Sequence, residues 1–199
     1  MCAVSDGNTC SVDGAAAIIL AAGFSRRLGR PKQTVVIGGE TLLGRAVRVA
    51  MEAELSPVIV VVQPGAEFAE ELRAGGCLLV VNEEAAEGIA SSIRRGVATA
   101  KMLQAAGVVV MTCDQVGLRP EHLQALIAEP AKVAASGYAG RVGIPAYFPS
   151  DSFAALMELR GDTGARELLR GERVVVVVDE QLALDIDTEA DVARATSIS

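Results

Sequence analysis

Short runs of Val, Ile, Leu and Ala alternate along the chain with segments whose apolar positions recur at helical spacing. Ala15–Ala22 is an unbroken apolar run that stops at Gly23, which predicts a strand covered on both faces. Thr41–Glu54 places Leu42, Leu43, Ala46, Val49 and Ala50 at helical spacing, with Thr41 as the expected N-cap. Pro57–Gln63 predicts a buried strand, Ala66–Arg73 a short helix closed by Gly75 and Gly76, and Cys77–Val81 a third strand. Ile89–Leu103 predicts a helix, with Gly96 as its weak point. Gly107–Thr112 predicts a fourth strand, and Arg119–Ala128 a helix with Pro120 in its first turn. Lys132–Tyr138 and Arg141–Phe148 follow as strands around Ala139 and Gly140. Ser150–Leu159 and Asp162–Leu169 are expected to be helical, Glu172–Val178 a strand, and Thr188–Ala195 a closing helix.

This alternation of strand and helix argues for an α/β fold with three layers: a mostly parallel sheet with helices on both faces. At 199 residues the chain favours one domain, expected over residues 15–199. Residues 1–14 form a polar leader without a cationic start or an apolar stretch, so it does not read as a signal peptide and is expected to be disordered. No apolar run is long enough for a membrane span.

Composition narrows the partners. Apolar residues make up 51% and charged residues 22%, the proportions of a globular chain. With 18 basic and 25 acidic side chains the net charge is −7, which excludes general electrostatic binding to a nucleic-acid backbone. The four cysteines, Cys2, Cys10, Cys77 and Cys113, contain no CxxC pair and no neighbouring His. They read as reduced thiols of a cytoplasmic protein that binds neither nucleic acid nor membrane.

Against that acidic background, four cations fall within seven residues: Arg26, Arg27, Arg30 and Lys32. They follow Leu20, Ala21, Ala22, Gly23 and Ser25, where an apolar strand ends in small residues. Small residues let backbone N–H groups approach phosphate oxygens, and Arg and Lys neutralise them. The spacing is neither a Walker A loop nor a GxGxxG turn. A triphosphate site fits it; the plainer reading is an exposed basic turn. A second strand end carries Cys113, Asp114 and Gln115. A carboxylate there is placed to hold Mg²⁺ against a bound phosphate, and the plainer reading is a capping or surface Asp.

The segment Leu20-Ala21-Ala22-Gly23-x-Ser25-x-Arg27-Leu28-Gly29-x-Pro31-Lys32 resembles the signature loop of the MobA/MocA-type nucleotidyltransferases. Further motifs resemble the family's in the same order: Asn82 with Gly88, Ser91 and Ser92; Cys113-Asp114-Gln115; Gly143-Ile-Pro145; Gly161-Asp162-Thr163-Gly164-Ala165-Arg166; and Asp185-Ile-Asp187-Thr188-x-x-Asp191. Val116 stands where the family has proline, Leu28 where Met is common, and Glu189-Ala190 where Pro-Glu is usual. The resemblance implies a Rossmann-like nucleotidyltransferase fold whose N-terminal half binds nucleotide and whose C-terminal part binds an acceptor. It is nearest the molybdenum cofactor cytidylyltransferases, which join CMP from CTP to molybdopterin and release pyrophosphate.

That resemblance implies roles. Arg27, Lys32 and Asp114 are the catalytic candidates. The nucleotide would be held by Leu20, Ala21, Ala22, Gly23, Ser25, Arg26, Arg27, Lys32, Asn82, Gly88, Ser91 and Ser92. Gly143, Pro145, Gly161, Asp162, Gly164 and Arg166 would shape the acceptor pocket. Asp114 would hold Mg²⁺, with Asp185 or Asp187 as second ligand. A recipient molybdoenzyme is a further implied partner. A Cβ at Ala22 narrows the space beside the base, compatible with a pyrimidine. The alternatives are transfer from GTP, a sugar or polyol phosphate acceptor, and a non-catalytic module that delivers molybdopterin. His122 reads as a surface or supporting residue and Cys113 as a packed thiol. Glu83, Glu84 and Glu87 read as an acidic turn.

Overall fold

The computed structural model describes residues 14–25, 27–170 and 173–198. The leader before Gly14, with Cys2 and Cys10, and also Arg26, lie outside the described residues. In chain order the elements are β1 (Ala15–Leu20), β2 (Val36–Ile37), β3 (Glu40–Thr41), α1 (Leu42–Glu52), β4 (Val58–Val62), α2 (Ala69–Ala74), β5 (Leu78–Val81) and α3 (Ile89–Met102). They continue with β6 (Gly107–Thr112), α4 (Pro120–Ile127), β7 (Ala134–Tyr138), β8 (Arg141–Pro149), α5 (Phe153–Met157), β9 (Val175–Val178) and α6 (Glu189–Ile198).

Seven strands form one sheet in the order β5-β4-β1-β6-β8-β7-β9. Only β8 runs antiparallel to its neighbours; the remaining pairings are parallel. The central strands β1, β4 and β6 are buried along nearly their whole length, as their continuous apolar runs predict. Alternate residues of β1 serve opposite faces. Ala17 and Ile19 join a core with Leu43, Ala46 and Leu123 from α1 and α4, while Ile18 and Leu20 join one with Ile93, Val97 and Leu156 from α3 and α5. Each such Leu, Ile or Val side chain contributes about 1.5–3 kcal/mol of burial.

Gly96 has a packing reason. A Cβ there would collide with the side chain of Ile18, so glycine lets α3 approach β1 closely. The expected cap is present: Thr41 Oγ1 accepts the Gly44 N–H at 3.0 Å. Among the described residues no helix is long and apolar enough to cross a membrane.

Three expectations change. Residues 162–169 are not a helix. Gly161 and Gly164 adopt φ of +63° and +57°, and Leu168, Leu169 and Arg170 make only i→i+3 hydrogen bonds, so the segment is a run of turns. The β2–β3 hairpin was not expected. Its two-residue turn is Gly38-Gly39, with φ +62° and +84°, and a Gly-Gly pair between short apolar stretches is the signal that would have found it. His122, expected at the surface or in a supporting position, is buried, which leaves the supporting one.

Candidate active site

Strand pairing builds the site. In the parallel β1–β6 pair Leu20 lies opposite Thr112, so both chains leave the sheet at the same edge. The small residues Ala21–Gly23 and the Cys113-Asp114 turn therefore become neighbours at the carboxyl ends of the strands, where open α/β sheets bind ligands.

The loop after Gly23 folds back on itself. Ser25, with φ +47°, accepts the N–H groups of Leu28 and Gly29 on its carbonyl, at 3.1 and 3.2 Å. Its Oγ accepts the Lys32 N–H at 3.0 Å. Leu28 is buried with Val35, Ile37, Leu42, Ile186 and Ala195. That small core ties the loop to the hairpin and to the C-terminal segment.

Lys32 is thereby aimed at the floor of the cleft. Its Nζ donates to Asp114 Oδ2 at 2.8 Å and to Asp187 Oδ1 at 2.9 Å. Burial alone would lower the lysine pKa, but the two carboxylates outweigh it and raise it above the ordinary value. Arg27 reaches the other oxygen of Asp187 at 2.9 Å, and Arg30 pairs with Glu189 through two contacts. Asp187 is positioned by its own segment: Asp191 Oδ2 accepts the N–H groups of Asp187 and Thr188. The Ile186 N–H donates to the Asp114 carbonyl at 3.0 Å, and Gln115 and Asp185 form an antiparallel bridge.

Two cavities meet at Asp114. One, of about 290 Å³, is lined by Leu20, Ala22, Gly23, Lys32, Gly88, Ser92 and Asp162, together with Phe24 and Gln33. The other, of about 540 Å³, is lined by Gly143, Asp162, Gly164, Arg166 and Asp185, with Tyr138, Arg141 and Ile144. Asp114 lines both. Ala21 and Ser25 face a further space of about 690 Å³ on the other side of the loop, shared with Gln63 and Phe68.

Several candidate residues stand behind these walls. Asn82 and Ser91 are fully buried. The Asn82 amide donates to both Ser91 Oγ and Ser92 Oγ at 2.9 Å, and Ser91 Oγ donates to the Gly88 carbonyl at 2.8 Å. They support the Gly88 turn and do not line the cleft. Gly161 accepts the Ala90 N–H at 3.1 Å and donates to Glu87 at 3.4 Å. Glu87 also forks onto Arg94, whose guanidinium holds its carboxyl down at about 2. Pro145 lines neither cavity; its carbonyl accepts Ser136 Oγ at 2.6 Å, and Ser136 Oγ lies 2.7 Å from His122 Nε2. Cys113 is a packed thiol, its pKa pushed up to about 12, chiefly by burial.

The two candidate second ligands separate. Asp187 shares Lys32 with Asp114, whereas Asp185 pairs with Arg141 at 3.0 Å. Burial, and then the nearby Asp114 charge, raise the Asp185 pKa to about 6. Among the described residues no group of three or more His, Cys, Asp or Glu converges as a metal cage. The point that Asp114 and Asp187 share is the Lys32 ammonium, and two carboxylates on one cation are a donor set that a hard divalent cation also takes, with phosphate and water as its other ligands.

Sequence reasoning missed Gln33, Gln63, Tyr138 and Arg141. Gln33 and Gln63 donate to the carbonyls of Ala21 and Ala22 at 2.5 and 2.8 Å, which braces the strand end. Tyr138 Oη donates to the Ile144 carbonyl at 2.9 Å, and the Arg141 guanidinium lies 4.9 Å from the Tyr138 ring centre. None of these belongs to a glycine-rich or acidic motif; only the strand–turn–strand around Ala139-Gly140 marked the region.

A basic loop, a carboxylate pair and two joined cavities suit transfer of a phosphoryl-linked group between two substrates. Residues 17–181 match the MobA-like NTP transferase domain. The chain belongs to that family. It is similar to the purine catabolism protein PucB of Bacillus subtilis, at 33% identity over 193 residues, covering 89% of this chain and 94% of PucB. The crystal structure of Rv0371c from Mycobacterium tuberculosis superposes with a TM-score of 0.80 at 32% identity, covering 94% of this chain and 99% of that one. A manganese complex of Rv0371c superposes with a TM-score of 0.74 at 29% identity, covering 94% and 100%. This MobA-like nucleotidyltransferase thus has the mostly parallel sheet of its relatives, and its Leu20–Lys32 loop resembles the signature loop of its own family.

Proposed function

We propose that this nucleotidyltransferase transfers CMP from CTP to the phosphate of molybdopterin and releases pyrophosphate. The observation that carries the reading is Asp114, the shared wall of a cavity behind the glycine loop and a second cavity of acceptor size. An oxygen of the acceptor phosphate forms a bond to the α-phosphorus. The bond from that phosphorus to the bridging oxygen breaks, and pyrophosphate leaves with the electron pair. The nucleophile is already an anion, so positioning and charge neutralisation do the work and no strong base is required.

Lys32 and Arg27 would neutralise the α-phosphoryl and the departing pyrophosphate, while Gly23 leaves room for the phosphates. Ser92 and Gly88 would border the nucleotide, held from behind by Asn82 and Ser91. Gly143, Asp162, Gly164 and Arg166 would border the acceptor, braced by Pro145 and Gly161. Asp114 and Asp187 would hold Mg²⁺, which supplies charge neutralisation at the phosphate oxygens when bound. The manganese complex of Rv0371c supports a divalent ion in this family. Ala22, which lines the smaller cavity, supports a pyrimidine by narrowing it.

Pyrophosphate release tests this. The protein is mixed with Mg²⁺, each nucleoside triphosphate in turn, and either molybdopterin or a sugar or polyol phosphate. Release with CTP is expected. Release with GTP alone overturns the cytidylyl reading, release only with a sugar or polyol phosphate overturns the acceptor, and no release at all overturns the transferase reading. Ala22→Gly should shift preference toward GTP.

A further inference from the structure

At the mouth of the larger cavity lies a pocket of about 350 Å³, lined by Arg141, Val142, Arg166, Leu169 and Arg170. Three of those five residues are arginines and none is acidic. The carboxylates of the larger cavity that flank the reacting centre, Asp114 and Asp185, do not line this outer end.

The arginines are presented rather than merely exposed. Ala165 and Leu169 are buried in the core on the α3 side, and the residue after each, Arg166 and Arg170, is exposed. Arg141 is held by Asp185 at 3.0 Å and lies over the Tyr138 ring. The guanidinium groups of Arg166 and Arg170 make no hydrogen bond or ion pair with another described residue. Asp185 compensates Arg141 alone, so Arg166 and Arg170 are left facing the same small concavity without a described counter-charge, and their forked donors suit an oxyanion.

We propose that Arg141, Arg166 and Arg170 form a subsite for an oxyanion at the end of the acceptor remote from its attacking phosphate. The inference rests on the acceptor occupying the larger cavity, and it specifies that acceptor further: it carries negative charge at both ends. Arg170 and Arg141 then discriminate against an acceptor with a neutral far end.

Two measurements test it. With the glycine loop filled by CTP and Mg²⁺, inorganic phosphate is titrated calorimetrically into the wild type and into Arg166→Gln/Arg170→Gln. Both side chains are exposed and pair with no described residue, so the variant should fold. The wild type should bind phosphate, and the variant should bind it at least tenfold more weakly. In steady-state pyrophosphate release, Arg170→Gln should raise the KM for molybdopterin at least tenfold and leave the KM for CTP unchanged. No binding by the wild type, or equal binding by the variant, overturns the subsite. Lost phosphate binding with an unchanged acceptor KM overturns its assignment to the acceptor. Lost phosphate binding in a protein that releases no pyrophosphate with any acceptor sustains the oxyanion site and overturns the molybdopterin reading.

Discussion

Lys32 Nζ donates to Asp114 Oδ2 at 2.8 Å, although the two residues stand 82 positions apart. One belongs to the loop after β1 and the other to the turn after β6, and the pairing of those two strands brings them together. The contact joins the cation assigned to the phosphates with the carboxylate assigned to the metal. Asp187 completes it from the C-terminal segment at 2.9 Å.

Removing either member should abolish turnover without unfolding the protein. Lys32→Ala and Asp114→Asn are each expected to lower kcat by about 10²–10³, the size of a lost electrostatic contact in the transition state. Thermal melting of Asp114→Asn should change little, because Asp187 still partners Lys32 when position 114 is neutral, whereas Lys32→Ala leaves two carboxylates without their shared cation and should melt lower. Single-turnover pyrophosphate release checks this, and a fully active Asp114→Asn would show the metal to be held elsewhere.

Two glycines should separate stability from binding. Gly96→Ala forces a methyl into Ile18, so a loss of about 1–3 kcal/mol is expected in urea denaturation. Gly23→Ala meets no atom within 4 Å and should leave the midpoint unchanged. Its methyl would enter the space for the phosphates, and CTP affinity measured by calorimetry should fall.

His122 should make stability depend on pH. Burial lowers its pKa, opposed by Asp179 and reinforced by Arg119. The unfolded chain therefore binds a proton first, at about 6.5. The contribution is present above that pH and is lost as pH falls through the lower folded value. Melting temperatures between pH 7.5 and 5 should drop more steeply for the wild type than for His122→Asn. Parallel curves would refute a titrating role.

Glu87 carries the corresponding prediction at lower pH. Its hydrogen bonds to Arg94, and then to the Gly161 N–H, depress its pKa from 4.5 to about 2. A depressed carboxyl stabilises above its unfolded value and loses that contribution as pH falls toward 2. Glu87→Gln should therefore melt below the wild type at pH 7, and the gap should close below about pH 4.

Much of this protein is legible in its local pattern. The continuous apolar runs at Ala15–Leu20, Val58–Val62 and Gly107–Thr112 predict buried parallel strands because only a strand covered on both faces can be apolar at every position. The cations after Gly23 and the acid after Thr112 are likewise visible, since they interrupt those runs where the strands end. Residues 162–169 misled because Ala165, Leu168 and Leu169 carry helical spacing. The left-handed backbone at Gly161 and Gly164 decided otherwise.

By itself the sequence determined the strands of the central sheet, their alternation with the helices that cover it, and the two residue types that meet at the strand ends, all of which depend on neighbours a few positions apart. Tertiary structure alone decided that Asp187 rather than Asp185 faces Lys32, that Asn82 and Ser91 stand behind the cleft, and that Arg141 joins Arg166 and Arg170. The physical reason is the same in each case. Which partner a carboxylate or amide meets is set by backbone bridges between remote segments, such as Gln115 with Asp185, and two aspartates two residues apart carry no local mark of which will meet Lys32 and which will line the larger cavity.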